Sequence, residues 1–204
     1  MVTNKLMKRL SLYLFLILFS FQTSSWADDI SDFQIEGMSI GDSLLDYISE
    51  SEIKEKKYYA YKLKDYYQTY FKLPAFKTYE YVQVNIKDAD NNFTIASLEG
   101  GFFVNYSMCK QEKKKIEKEL ISLFPNLKVD YGTEFSPSGD PSGLRKSIIT
   151  DLYFNTSFLD GGAIRVMCVD RSKKIEEEKG WVDSLRVVIN SKEFNMFIEK
   201  NFNP

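Results

Sequence analysis

The sequence predicts an α+β protein: an antiparallel β-sheet of hairpin-connected strands with two to three helices packed on it and one disulfide. Three observations carry this. Alternating runs come in pairs around turn clusters, 79–87 and 93–104 about Asp88–Asn92, and 148–157 and 162–170 about Asp160-Gly161-Gly162; such pairs are hairpins. Segments with helical spacing stand between the groups of strands and do not alternate with single strands, which favours α+β over a parallel sheet. The chain has two cysteines, Cys109 and Cys168, behind an export-type leader, and an oxidising compartment pairs such residues.

The leader is legible residue by residue. Lys5, Lys8 and Arg9 precede an apolar run, Leu10–Phe21, and Ser25 and Ala27 stand three and one positions before Asp28. This is the pattern of a cleaved signal peptide over 1–27, with an uncleaved anchor as the alternative. The run falls short of the roughly 20 residues that span a bilayer. The expectation is a periplasmic or secreted protein with no stable membrane insertion after cleavage. Residues 28–204 read as a single domain, divisible into helix-then-strand halves at 28–106 and 107–204.

Composition excludes several chemistries. The leader takes three of the 27 basic residues and none of the 29 acidic ones, so residues 28–204 carry 24 against 29, a net charge of −5. That balance disfavours nonspecific nucleic-acid binding, which needs basic surface to release counterions. The chain has no histidine, and so lacks the usual neutral-pH base and the commonest zinc ligand. Two cysteines cannot build a structural zinc site. No cofactor, metal or catalytic residue is expected.

The elements follow in order. Ser39 with Asp42 resembles a capping box, and Ile40, Leu44, Leu45 and Ile48 predict a helix over 40–49 after it. Lys54–Lys57 reads as a solvated charge run. Tyrosine-rich 58–72 predicts a strand, and 79–87 another with Val82, Val84 and Ile86 on one face. Gly100-Gly101 predicts a bulge or bend in the strand that follows. Ser107 is placed as the cap of a helix over 108–124, ended by Pro125, and a short strand is expected at 127–130. The Gly-, Ser-, Pro- and Asp-rich 132–143 should be an exposed loop. Ile164, Val166 and Cys168 should share a core face, letting the Cys109–Cys168 disulfide pin helix to sheet. After a charged connection at 171–180, a strand over 182–190 turns Leu185, Val187 and Ile189 inward. Ser191 caps a last helix over 192–201.

Five patterns bear on function. Gly37-Met-Ser-Ile-Gly41 matches the nucleophile-elbow signature, but with no buried strand before it and no histidine, Ser39 reads as a cap. Asp88, Asp90, Asn92, Thr94 and Glu99 match calcium-loop positions, yet Phe93 stands where that loop needs glycine, so a polar hairpin turn is the reading. Asp151, Glu99 and Glu134 are carboxylates of the kind a glycoside hydrolase pairs. The densest signal is aromatic, with tyrosines at 58, 59, 61, 66, 67, 70, 79 and 81: strand propensity on a half-buried sheet face accounts for such a cluster, but exposed tyrosine brings rigid area with a polar tip, and Tyr58, Tyr61, Tyr67, Tyr79 and Tyr81 form a candidate interaction surface. Arg165 and Arg186, on strands that could pair, form a candidate anion site; the alternative is ordinary ion pairing with Asp151, Asp170 or Asp183.

The segment Phe33–Tyr47 (FQIEGMSIGDSLLDY) and the run Ser184–Phe194 (SLRVVINSKEF) resemble small secreted proteins of unassigned function from marine alphaproteobacteria. The Gly-Met-Ser opening is also similar to envelope modules of the BamE and β-lactamase-inhibitor-protein type, which implies protein binding. The sequence thus predicts an exported, non-enzymatic module for an envelope or extracellular protein. A binder of a small ligand or glycan, or a carboxylate-based hydrolase, are the alternatives.

Overall fold

The computed structural model describes residues 30–136, 146–154, 157 and 159–202. The leader, Arg145 and most of the 132–143 loop lie outside them. Among the described residues, nine strands run as β1 (Gln34–Ile35), β2 (Met38–Ser39), β3 (Tyr66–Phe71), β4 (Tyr81–Lys87), β5 (Ile95–Phe103), β6 (Lys128–Tyr131), β7 (Lys146–Tyr153), β8 (Ala163–Asp170) and β9 (Ser184–Asn190). The helices are α1 (Glu50–Glu55), α2 (Tyr106–Leu123), α3 (Lys173–Lys179) and α4 (Lys192–Phe202). Seven strands form one antiparallel sheet in the order β3-β4-β5-β9-β8-β7-β6, and β1-β2 is a separate hairpin. The α+β class is as the sequence predicts. The central pairing, β5 with β9, joins strands from the two halves of the chain.

Register assigns every strand residue to a face. Val82, Val84, Ile86, Leu98, Leu185, Val187, Ile189, Ile164, Val166 and Cys168 share the inner face and are all buried. Helix α2 packs mainly over β8 and β9, burying Cys109, Ile116 and Leu120. Cys109 and Cys168 are disulfide-bonded, closing a sequence separation of 59 residues. The N-terminal segment covers the neighbouring part of this face, with Phe33 4.6 Å from Phe124, centroid to centroid. On the outer face α4 packs Phe194 and Phe197 against Tyr66 and Tyr61.

Five expectations about the elements are corrected. No helix spans 40–49: Ser39 ends the β1-β2 hairpin, and its N–H donates to Asp42 at 2.8 Å within a turn. The caps are Ser43, for a 3-10 turn at Leu44–Asp46, and Ser49, for α1. The competing feature is the Glu36-Gly37 turn, whose φ values of 53° and 83° close a two-residue hairpin of the kind that wants glycine. Strand β3 takes only part of 58–72, and Tyr58 touches it through one bridge to Gln68. Asn105, not Ser107, caps α2, its side chain accepting from the Met108 N–H at 3.0 Å. The connection at 171–180 contains α3, closed by Gly180 at φ 65°, a left-handed C-terminal stop. Gly100 and Gly101 make no bulge: the register runs through them unbroken, and the irregularity sits at Asn85/Ile86. Their missing side chains make room for rings, since a Cβ on Gly101 would meet Tyr81 at 2.0 Å and one on Gly100 would meet Tyr79 at 2.6 Å.

Candidate functional site

The outer face of the sheet is polar where the inner face is aliphatic. Register places Gln83 and Asn85 of β4, Ser97 and Glu99 of β5, Arg186 and Asn190 of β9, Arg165 of β8 and Asp151 of β7 on it. Most of these side chains are paired within the face. The Tyr81 hydroxyl donates to Glu99 Oε1 at 3.0 Å, and Arg186 Nη1 lies 3.4 Å from the same oxygen. Ser97 Oγ donates to Asn190 Oδ1 at 2.7 Å. Arg165 grips Asp151 through Nε at 2.7 Å and Nη2 at 2.9 Å, a two-point contact that fixes both groups. Burial lowers the Arg186 pKa, but Glu99 and Tyr81 outweigh it and hold the guanidinium above its ordinary value. Burial, then the Glu99 carboxylate, raises the Tyr81 hydroxyl.

The candidate tyrosines separate. Tyr58 is exposed, Tyr61 is partly buried, and Tyr67, Tyr79 and Tyr81 are buried, so the five do not form one exposed surface. Tyr67 is on the inner face because it pairs with Ile86. Tyr79 precedes β4, where strand alternation no longer applies. Glu36 Oε1 accepts the Thr78 and Tyr79 N–H groups at 2.7 and 2.8 Å, and the Tyr79 ring packs on Phe102 in the core. Tyr61 accepts from Gln68 Nε2 at 3.1 Å and donates to Asn85 Oδ1 at 3.3 Å; burial pushes its pKa up to about 12.

The structure instead sets Tyr81 in an aromatic row with Tyr70, from the same tyrosine-rich stretch, and Phe103, which no sequence pattern singles out. The Tyr70 ring packs tilted against Tyr81 at 5.1 Å, and Tyr81 stacks on Phe103 at 5.4 Å, crossing β3, β4 and β5 on the outer face. The two outer rings are 41% and 43% exposed. Lys72 Nζ sits 4.9 Å from the Phe103 centroid. The register puts the start of β9 beside the end of β5, which brings the exposed Trp181 and Val182 to the same end of the sheet. Arg171 packs 5.2 Å from the Trp181 ring.

Arg165 and Arg186 do come onto one face of adjacent strands, diagonal to each other, but each is engaged by a carboxylate. Glu99, Val188, Arg165 and Asp151 lie in one register row. Three strand spacings put the backbones of Glu99 and Asp151 roughly 14 Å apart, and each carboxylate is turned to an arginine, not toward the other. Glu134 sits elsewhere, accepting from Tyr106 at 2.8 Å near Lys146. In the calcium-like segment, Asp90 accepts the Asn92 and Thr94 N–H groups at 2.9 and 2.8 Å, and Asp88 pairs with Lys57 at 2.5 Å, while Glu99 faces Arg186. Comparison with protein-family models, curated proteins and solved structures finds no match.

Proposed function

We propose that this protein is an exported, non-enzymatic module that binds an envelope or extracellular protein through the aromatic end of its outer sheet face. The observation that carries this is the concentration of exposed large apolar side chains at that end: Tyr70 and Phe103 on β3 and β5, and Trp181 and Val182 in the segment leading into β9, rimmed by Lys72 and Arg171. Rigid aromatic anchors with a charged rim are what protein interfaces use. The buried network beneath fixes the row, because Tyr81 cannot turn away from Glu99 and Gly101. The Cys109–Cys168 disulfide and the leader-like first residues support an oxidising location, periplasmic or secreted. Among the described residues no helix is long and apolar enough to cross a membrane.

The test is in-cell photocrosslinking from positions 70 and 103, with positions 45 and 196, also exposed, as controls. One discrete protein adduct from 70 and 103 and none from the controls is the expected result. Equal labelling from all four positions, or none from 70 and 103, contradicts the assignment.

A further inference from the structure

The inner side of the sheet carries a second, separate feature. Helix α2 lies mainly over β8 and β9, and a groove of about 830 Å³ opens between it and the inner side of β6 and β7. Its volume is in the ligand-site range of roughly 300–1,000 Å³. Tyr131 and Ile148 lie on the strand side, and Lys110, Lys114 and Lys118 line the helix side. These three lysines, four residues apart, form one row along the helix, with about 6 Å between steps. Like charges at this spacing cost a helix a few tenths of a kcal/mol per pair, and of the three only Lys110 has a cation–π contact in α2 among the described residues, with Nζ 4.6 Å from the Tyr106 ring centroid.

Among the described residues, two of the three charges in the row are unmatched. At the base of the groove the buried Lys113 bonds to Glu117 and to Thr150 Oγ1, so Glu117 is committed within the fold. Lys110 has Glu134 at 3.8 Å. Lys114 and Lys118 have no carboxylate within ion-pair distance among the described residues. The opposite wall offers aromatic and aliphatic surface.

We propose that this groove binds an extended acidic segment of a protein, with alternate carboxylates along the lysine row and the intervening side chains on Tyr131 and Ile148. The spacing supports a strand: alternate residues of an extended chain lie about 6.6–6.8 Å apart on one face, close to the lysine step. A single small anion would engage one lysine and leave the row unused. This reading is independent of the outer aromatic end, which lies on the opposite face.

The experiment is fluorescence anisotropy with a labelled peptide of alternating Glu and Val, titrated with the oxidised protein at low and at moderate salt. Saturable binding is expected, weakened about tenfold or more by the double variant K114E/K118E and weakened by salt. Both substitutions are at exposed positions, and an unchanged melting temperature verifies the fold. Y70S should leave the affinity unchanged, which separates this groove from the outer surface. Absence of saturable binding overturns the proposal, as does binding that survives K114E/K118E. A peptide of the same composition with its Glu residues in one block binding equally well overturns the strand register. Tighter binding of oligogalacturonate than of the peptide overturns the choice of ligand class.

Discussion

The same strands build two different surfaces, and the contrast separates what holds this protein together from what it presents. The inner face stacks valine, isoleucine and leucine under α2 and the N-terminal segment, and it is tied by the Cys109–Cys168 disulfide. Its residues are interchangeable in chemistry and constrained in volume. The outer face is built from Tyr81, Glu99, Arg186, Ser97, Asn190, Arg165 and Asp151, each with a named partner. Buried polar groups are costly unless paired, and an aliphatic outer face covered by a helix would serve stability as well. A polar, half-covered face that ends in exposed rings is the region whose chemistry is specific.

Four sets of substitutions and one titration test that separation. The largest effect belongs to the inner face. Replacing both cysteines by serine should cost about 4 kcal/mol, from the loop entropy of the closed chain, measured by guanidinium unfolding of variant and wild type. On the outer face, Arg186→Met should cost about 3 kcal/mol by leaving Glu99 buried without its partner. The double variant with Glu99→Met should recover much of that loss, which a double-mutant cycle will read. Gly101→Ala should cost about 2 kcal/mol by driving a Cβ into the Tyr81 ring; coupling to Tyr81→Ala in a cycle checks the cause. If Gly101→Ala is neutral, the ring is not held where the aromatic row needs it.

The titration is set by burial. Tyr61 and Tyr67 are pushed up to about 12, in both cases chiefly by burial, and burial also raises Tyr79 and Tyr81. A phenol whose folded pKa exceeds its unfolded value stabilises the fold fully below the unfolded pKa. That contribution is lost as pH rises through the folded pKa. Stability should therefore fall between about pH 10 and pH 12, with phenolate absorbance from these four rings appearing together with loss of the circular dichroism signal. Absorbance that saturates before unfolding begins would place these rings in water. The smallest stability effect belongs to the presented surface: Tyr70→Ser with Phe103→Ser should change stability by no more than about 0.5 kcal/mol per site.

Much of the fold was legible because period and punctuation agree. The β4-β5 and β7-β8 hairpins, α2 with Cys109 inward, α4 behind Ser191 and the disulfide all follow from spacing and turn residues. The misreadings occur where long-range contact decides. Over 40–49 the apolar spacing fits a helix, but Gly41 and Asp42 bond to Ile95 through the backbone, and that pairing holds the segment as turns. Gly100 and Gly101 signal freedom locally, and only the folded chain shows that Tyr79 and Tyr81 fill the space. The candidate site was half legible. The tyrosine-rich stretch does contain exposed rings, but alternation beyond a strand's end misplaces Tyr79, and Phe103 carries no signal apart from parity. With β5 in register, that parity puts Phe103 outward on the side of Tyr81 and Tyr70, a clue available from the alternation of 93–104.

The measurement that bears most directly on this account compares the Tyr70→Ser/Phe103→Ser double variant with wild type in one experiment, reading thermal stability and in-cell capture of the crosslinked partner together. The account predicts an unchanged melting temperature and loss of the adduct formed from position 182 of the wild-type surface. Undiminished capture with the rings removed, or a fall in melting temperature comparable to that of the disulfide variant, would contradict the separation of a supporting inner face from a presenting outer one.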